Sequence, residues 1–267
     1  ERLKALGPAG LPFKDASRAR TLRNLRVLGW SVLNILLGVV AQAAVEILFT
    51  KVLLIRSALR VTTTLPMPFG IVKDLAKGFL FREIIAYTVH RYTLHESSTT
   101  LARAHRDWYH SLSTPFPLTA SYDHPAAYLA RSFLPTYIPA VLFRFHLLTY
   151  VLYLTLISLE ETFSYSGYST VPTNFILGGV ARRTDNHVLC GGEGNFGPWG
   201  LIDWVFDTSV GADLIDDVVQ EAEKHDVPTR VERTKAKAKS KANGKLGELK
   251  GNLSPGRRRT TRNRSES

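Results

Sequence analysis

The chain has 267 residues, 45% of them apolar and 21% charged, and a formal net charge of +11. That charge is concentrated at one end: residues 229–267 hold 13 Lys/Arg against 3 Asp/Glu, whereas the other 228 residues carry 21 basic and 20 acidic side chains. A nearly neutral body excludes a basic nucleic-acid-binding fold, and Cys190, the sole cysteine, excludes an intrachain disulfide framework.

Residues 1–26 read as a cytosolic segment. The chain opens on Glu1 with Met67 as its only methionine, which leaves the native N-terminus open. Arg18, Arg20, Arg23 and Arg26 stand before Val27–Thr50, a run of 24 residues whose only formal charge is Glu46. That length crosses a hydrocarbon core with some tilt, and the arginines place its N-terminal side in the cytosol. A buried core helix is the competing reading. Pro66, Pro68 and Gly70 then break the chain before a second predicted helix, Ile71–Val89. Its Lys73, Asp74, Lys77, Arg82 and Glu83 suit a helix packed within a bundle better than a lone lipid-facing span.

Five of the eight histidines follow, as the doublets His90/His95 and His105/His110 and then His124. Ser132–Leu159 is again mostly apolar, interrupted by Pro135, Pro139, Arg144 and His146, and fits either one kinked span or a tight hairpin. From Val171 the chain turns polar and glycine-rich and carries His187. Asp213–His225 reads as a short amphipathic helix within 212–228. The 229–267 tail has too few large apolar residues to offset its ordering entropy and reads as disordered, a solubilising segment or one drawn to anionic lipid. His146 and His225 read as hydrogen-bonded or surface residues.

These elements predict an all-α fold: an integral membrane helical bundle spanning 27–211 with a cytosolic, histidine-rich, metal-binding cap. If Val27–Thr50 crosses once, Ile71–Val89 crosses back and 132–159 forms a hairpin, then His90–His124, His187 and both termini share the cytosolic side. A single span at 132–159 would part His187 from the rest.

In each doublet the histidines are five residues apart. On a regular helix that spacing turns the two side chains about 140° from each other, so chelation needs a helix end, a π-turn or a loop between them. Neutral imidazole is the commonest metal ligand. Zinc sites take three or four ligands, often with cysteine, and Cys190 has no partner. More than four imidazoles in one region suit iron, a pair of irons better than one, with open positions for oxygen.

The phrases His90-Arg91-Tyr92-Thr93-Leu94-His95, His105-Arg106-Asp107-Trp108-Tyr109-His110 and Ala120-Ser121-Tyr122-Asp123-His124-Pro125 resemble the histidine boxes of the fatty acid hydroxylase/sterol desaturase superfamily. Asn195-Phe196-Gly197, Asp203 and Phe206-Asp207-Thr208 are similar to its closing motif. The likeness covers roughly residues 75–211. It implies an endoplasmic-reticulum, multi-pass membrane oxidoreductase with two cytosolic irons. Such an enzyme uses O2 and electrons from a cytochrome-b5-type donor to hydroxylate or desaturate a lipid or other apolar substrate.

The chain departs from that pattern: both early boxes read His-x4-His, the third box keeps only Asp185 and His187, and Tyr165 stands where the family often has histidine. Six histidines occupy matching places, so the expected metal ligands are His90, His95, His105, His110, His124 and His187. Asp185 is expected to orient an imidazole. Asp123, Asp185, Glu161 or Tyr165 are the candidates to complete the shell in place of missing histidines. The alternative is a metal-poor, catalytically inactive membrane protein that keeps the fold as a binding or scaffold protein. A third is a site with one metal. Substrate identity, the choice between hydroxylation and desaturation, and oligomeric state are not written in the residues.

Overall fold

The computed structural model describes residues 18–112, 116–166 and 177–211, and among these every element is helical, with no strand beyond one isolated bridge. Helix α1 (Arg18–Ile47) continues through a π-helical turn, Leu48–Val52. Its apolar stretch Leu22–Val52 is only 11% buried, and Val32, Leu36, Val39 and Val40 all stand exposed. A core helix of a water-soluble protein would hide such a stretch, because burying a side chain of this type stabilises by roughly 1.5–3 kcal/mol. The buried-core reading of this segment therefore does not fit. Among the described residues no other helix is long and apolar enough to cross a membrane by itself.

Helix α2 (Pro68–Thr88) begins with proline in its first turn, where the missing N–H costs nothing. Gly78, Arg82, Glu83, Ala86 and Tyr87 form its buried stripe, at the four-residue spacing that keeps side chains on one helix face. Gly78 is required there: a Cβ would come within 2.9 Å of the Phe145 ring. The stripe runs directly into His90. Phe69, Val72, Leu80 and Ile84 point outward and are exposed. Arg82 meets Glu160 across the bundle at 3.0 Å and Glu83 is buried, so two of the five charges that unsuited α2 for lipid face inward.

Helix α3 (Thr100–Trp108) starts at Thr99, whose Oγ1 accepts from the Ala102 amide. Helix α4 (Pro125–Tyr128) passes through a π-turn, Leu129–Phe133, into α5 (Leu134–Leu142); α6 (Leu147–Ser164) returns. Of the two readings of Ser132–Leu159, the hairpin is the one that forms. His146 caps α6 by accepting from the Leu148 amide at 3.1 Å. Phe145 fills the core with Tyr137, Ala140, Tyr150, Tyr153 and Ile157.

Arg60 bonds through its backbone to Phe145 and Leu147, which sets the 53–67 segment against the hairpin turn, at the end of the bundle away from His90. At the histidine end, Asn34 of α1 donates to the Ser121 and Asp123 carbonyls, both at 2.9 Å. Helices α7 (Leu177–Leu189) and α8 (Leu201–Val205) complete this cap. The expected 212–228 helix, the 229–267 tail and the first 17 residues lie outside the described residues.

Candidate metal centre

The awkward five-residue spacing is resolved by local backbone geometry. Val89–His95 is π-helical, and a π-turn closes over five residues, so His90 and His95 come to the same side with their Nε2 atoms 3.2 Å apart. In the second doublet, His105 lies in the last turn of α3 and His110 in the 3-10 turn Tyr109–Ser111. His110 Nε2 approaches His95 Nε2 to 3.4 Å. His187, in the last turn of α7, completes a group of five imidazoles: its ring lies 4.6 Å from that of His90 and 5.0 Å from that of His110.

Three rings are held by their outer nitrogen. His90 Nδ1 donates to the Phe196 carbonyl (3.0 Å), His105 Nδ1 to Asp123 Oδ2 (2.7 Å) and His187 Nδ1 to the Gly194 carbonyl (2.6 Å). Each bond fixes the tautomer, leaving the Nε2 lone pair aimed inward, as outer partners of metal-binding histidines do. The inner Nε2 atoms of His105 and His187 are buried and bonded to nothing. A buried nitrogen without a partner is costly, and a metal ion is the partner this geometry suits.

The loop after α7 supplies these outer contacts. Gly192 adopts φ +91°, and a Cβ there would lie 2.2 Å from His95 Cε1. Asp203, fully buried, accepts from the Phe196 and Gly197 amides, from Thr208 Oγ1 and from Arg183. Glu83 accepts from the Trp199 and Leu201 amides. The Phe196 carbonyl is thereby fixed through the Gly197 amide, and the Gly194 carbonyl through the Asn195 amide, which donates to the Thr208 carbonyl. Sequence reading found the motif Asn195-Phe196-Gly197 and Asp203 but not what its carbonyls do; the clustered glycines were the available signal.

Burial pushes the His95, His110 and His187 imidazoles down to about 3, and neighbouring imidazoles add to the shift. Burial holds His90 and His105 well below the usual range too. All five are neutral at physiological pH, which is the ligating form. Burial pushes Asp123 up to about 6, opposed by Arg131, so it remains an acceptor for His105 at neutral pH.

Other expected residues sit elsewhere. His124 caps α4: its Nδ1 accepts from the Ala126 amide at 3.3 Å and its ring meets the Trp108 edge, outside the cluster. Asp185 is buried on α7 two residues before His187, about 200° around the helix from it. Tyr165 Oη pairs with Tyr109 Oη, and the Tyr109 ring stacks on His105 at 5.1 Å. Glu161 faces Arg82 at 3.8 Å. A polar cavity of about 90 Å³ has His90, His187, Tyr109, Tyr165, Arg131 and Glu161 among its walls. It has room for a few waters.

Among the described residues, a helical bundle thus gathers five buried or half-buried imidazoles into groups that could hold a metal ion. The sequence pattern of the fatty acid hydroxylase family matches residues 75–208, half of the chain, and the chain belongs to that family. It is also similar to the very-long-chain aldehyde decarbonylases GL1-8 and GL1-11 of Oryza sativa (subspecies indica and japonica), at 34% identity over 154 residues, covering 55% of this chain and 56% of each relative. The chain thus matches about half the length of these relatives. No solved structure matches it.

Proposed function

We propose that this protein is a membrane-bound, iron-dependent oxidoreductase that uses O2 to hydroxylate or desaturate a lipid or other apolar substrate. The observation that carries this reading is the set of five neutral imidazoles whose inner nitrogens converge, two of them buried and unbonded, at one end of a bundle with apolar outer faces. His90, His95, His105, His110 and His187 would hold the iron. Bound there, iron would supply oxygen activation, the chemistry needed to break an unactivated C–H bond.

The chain's own residues do the rest. Asp123, Phe196 and Gly194 keep three imidazoles in the ligating tautomer. Phe196 and Gly192 close over His95 and exclude water from that side. The small polar cavity beside His90 and His187 admits molecules of the size of O2 and water. Exposed apolar residues on α1, α2 and α6 suit a bilayer setting, with the histidine cap on the cytosolic side of the endoplasmic reticulum. From there a cytochrome-b5-type donor would deliver electrons. The resemblance to very-long-chain aldehyde decarbonylases favours a long aliphatic substrate. The family resemblance implies two irons.

The test is oxygen-dependent conversion of lipid extracts by the detergent-purified, iron-loaded chain with a reductase and cytochrome b5. Expected is an oxidised long-chain product that disappears with His105→Ala. Product formation that survives this change would rule the reading out.

A further inference from the structure

We infer that the end of the bundle away from the histidines carries a site for an anionic phospholipid, with the phosphate held by Arg56 and Arg144. This rests on the membrane-bound reading above and on no part of the metal chemistry. A cavity of about 600 Å³ opens there between the turn that follows α1 and the turn that joins α5 to α6. That volume lies within the roughly 300–1,000 Å³ of small-molecule sites, which combine apolar walls with a few polar groups. Phe49, Leu54, Ile55 and Val141 supply the apolar wall, and Arg56 and Arg144 the charge.

The two turns are built against each other. The Arg60 amide donates to the Phe145 carbonyl at 2.9 Å, and the Leu147 amide to the Arg60 carbonyl at 3.0 Å. Glu46 of α1 accepts from the Ala58 amide at 3.0 Å. Leu54 and Arg144 both adopt left-handed backbone, at φ +51° and +47°, a conformation that neither residue type favours. The other non-glycine residues with positive φ among the described residues are Asn195 and Asp207 in the histidine cap, of types that tolerate it. Strained backbone of this kind gathers where a chain is shaped around a ligand.

Charge and depth select the occupant. Inside the bundle Arg82 pairs with Glu160, Arg131 with Asp123 and Arg183 with Asp203. Arg56 and Arg144 are exposed and, among the described residues, pair with no carboxylate. A guanidinium is weakly hydrated and its fork of donors fits a phosphate bidentately. No carboxylate lines the cavity to balance the cation of a zwitterionic head group, and Lys51 and Arg60 on the same stretch of chain add positive charge. A head group of net negative charge is therefore favoured. Asn34 of α1 is bonded to the cap, and from it to Val52 the helix runs about 27 Å, close to the roughly 30 Å hydrocarbon core of a bilayer. With the cap at one membrane surface, the cavity falls at the other, at the depth of lipid phosphates. An aliphatic substrate seated here would lie at the wrong end of the bundle for the imidazoles, so the occupant is a structural lipid.

The experiment reconstitutes the full-length chain in vesicles of dioleoylphosphatidylcholine and dioleoylphosphatidylglycerol. The vesicles are washed at high ionic strength, which screens the basic 229–267 run, and the chain is extracted in mild detergent and read by native mass spectrometry. Expected is retained phosphatidylglycerol, enriched about tenfold over phosphatidylcholine. R56Q/R144Q should abolish the enrichment, and R23Q/R26Q, with two exposed arginines at the other end of α1, should keep it. Equal loss in both double variants would mean diffuse charge attraction and overturn the site. Displacement of the retained lipid by equimolar oleate would make it a fatty-carboxylate site and overturn the phospholipid assignment. If R56Q/R144Q does not fold, Arg56→Gln alone decides, and unchanged enrichment in it overturns the site. A wild-type chain that enters the vesicles but retains no anionic lipid overturns the site and leaves the membrane-bound reading standing. A chain that does not enter them overturns both.

Discussion

Around the histidines, backbone and side chains are tied at almost every turn. Asp203 alone accepts from two amides, one hydroxyl and one guanidinium, and Asp123 joins His105 to Arg131. At the other end of the bundle the 53–67 segment leaves Leu53, Leu54, Ile55, Val61, Leu65 and Met67 between 51% and 81% exposed. Its main ties there are the backbone bonds of Arg60 and the Glu46 carboxylate on the Ala58 amide. One end ties imidazole nitrogens through hydrogen bonds; the other holds a chain reversal in place. Mutational sensitivity should divide along the same line.

The largest effect is expected at the cluster itself. His105→Ala should remove metal and turnover together while leaving helicity by circular dichroism unchanged. Retained metal would mean that His105 is a core residue and the division between the two ends is misplaced. Acid should act nearly as strongly on metal-free protein. His95, His110 and His187 titrate near 3 when folded and at about 6.5 when unfolded. Below that unfolded value the unfolded chain takes up protons that the folded chain refuses, so stability is complete above about pH 6.5 and falls as pH drops toward 3. With three such groups the slope approaches roughly 4 kcal/mol per pH unit. A melting temperature flat between pH 7 and pH 5 would contradict the buried, neutral state of the rings.

Asp203→Ala should come next. It removes the carboxylate 2.7 Å from the buried Arg183 guanidinium, and breaking a buried pair costs about 3–5 kcal/mol. It also frees the amides that hold the Phe196 carbonyl on His90, so metal affinity should fall as well as stability. Chemical denaturation and metal titration of the same variant separate the two losses.

The sequence carried much of this division but not its mechanism. Helix α2 was readable because Pro66, Pro68 and Gly70 mark its start and the His90 doublet its end. Five of the six matched histidines do meet, the first doublet in a π-helical stretch and the second across a helix end. What could not be read were interactions between segments distant in the chain. His124 looks like a ligand in its phrase, yet with Pro125 following it the same residue is a good helix cap. The Gly194 and Phe196 carbonyls carry no side-chain signature at all. Arg82, a charge that counts against a membrane helix in any composition-based reading, is neutralised by Glu160, 78 residues away.

The finest test uses two residues with the same backbone sign and opposite surroundings. Gly192 has φ +91° and His95 where a Cβ would go; Leu54 has φ +51° and is 81% exposed. Gly192→Ala adds both left-handed strain, of order 1–3 kcal/mol, and a clash that must push His95 off its position, so metal affinity should drop with stability. Leu54→Gly removes a strained conformation and no packed contact. It should change stability by less than about 1 kcal/mol, in either direction, because the entropy glycine adds to the unfolded chain opposes the relief. Metal content should stay the same. If Leu54→Gly altered metal binding, the two ends of the bundle would be coupled through α1 or the hairpin, and the cap would not be the self-contained unit that its bonding describes.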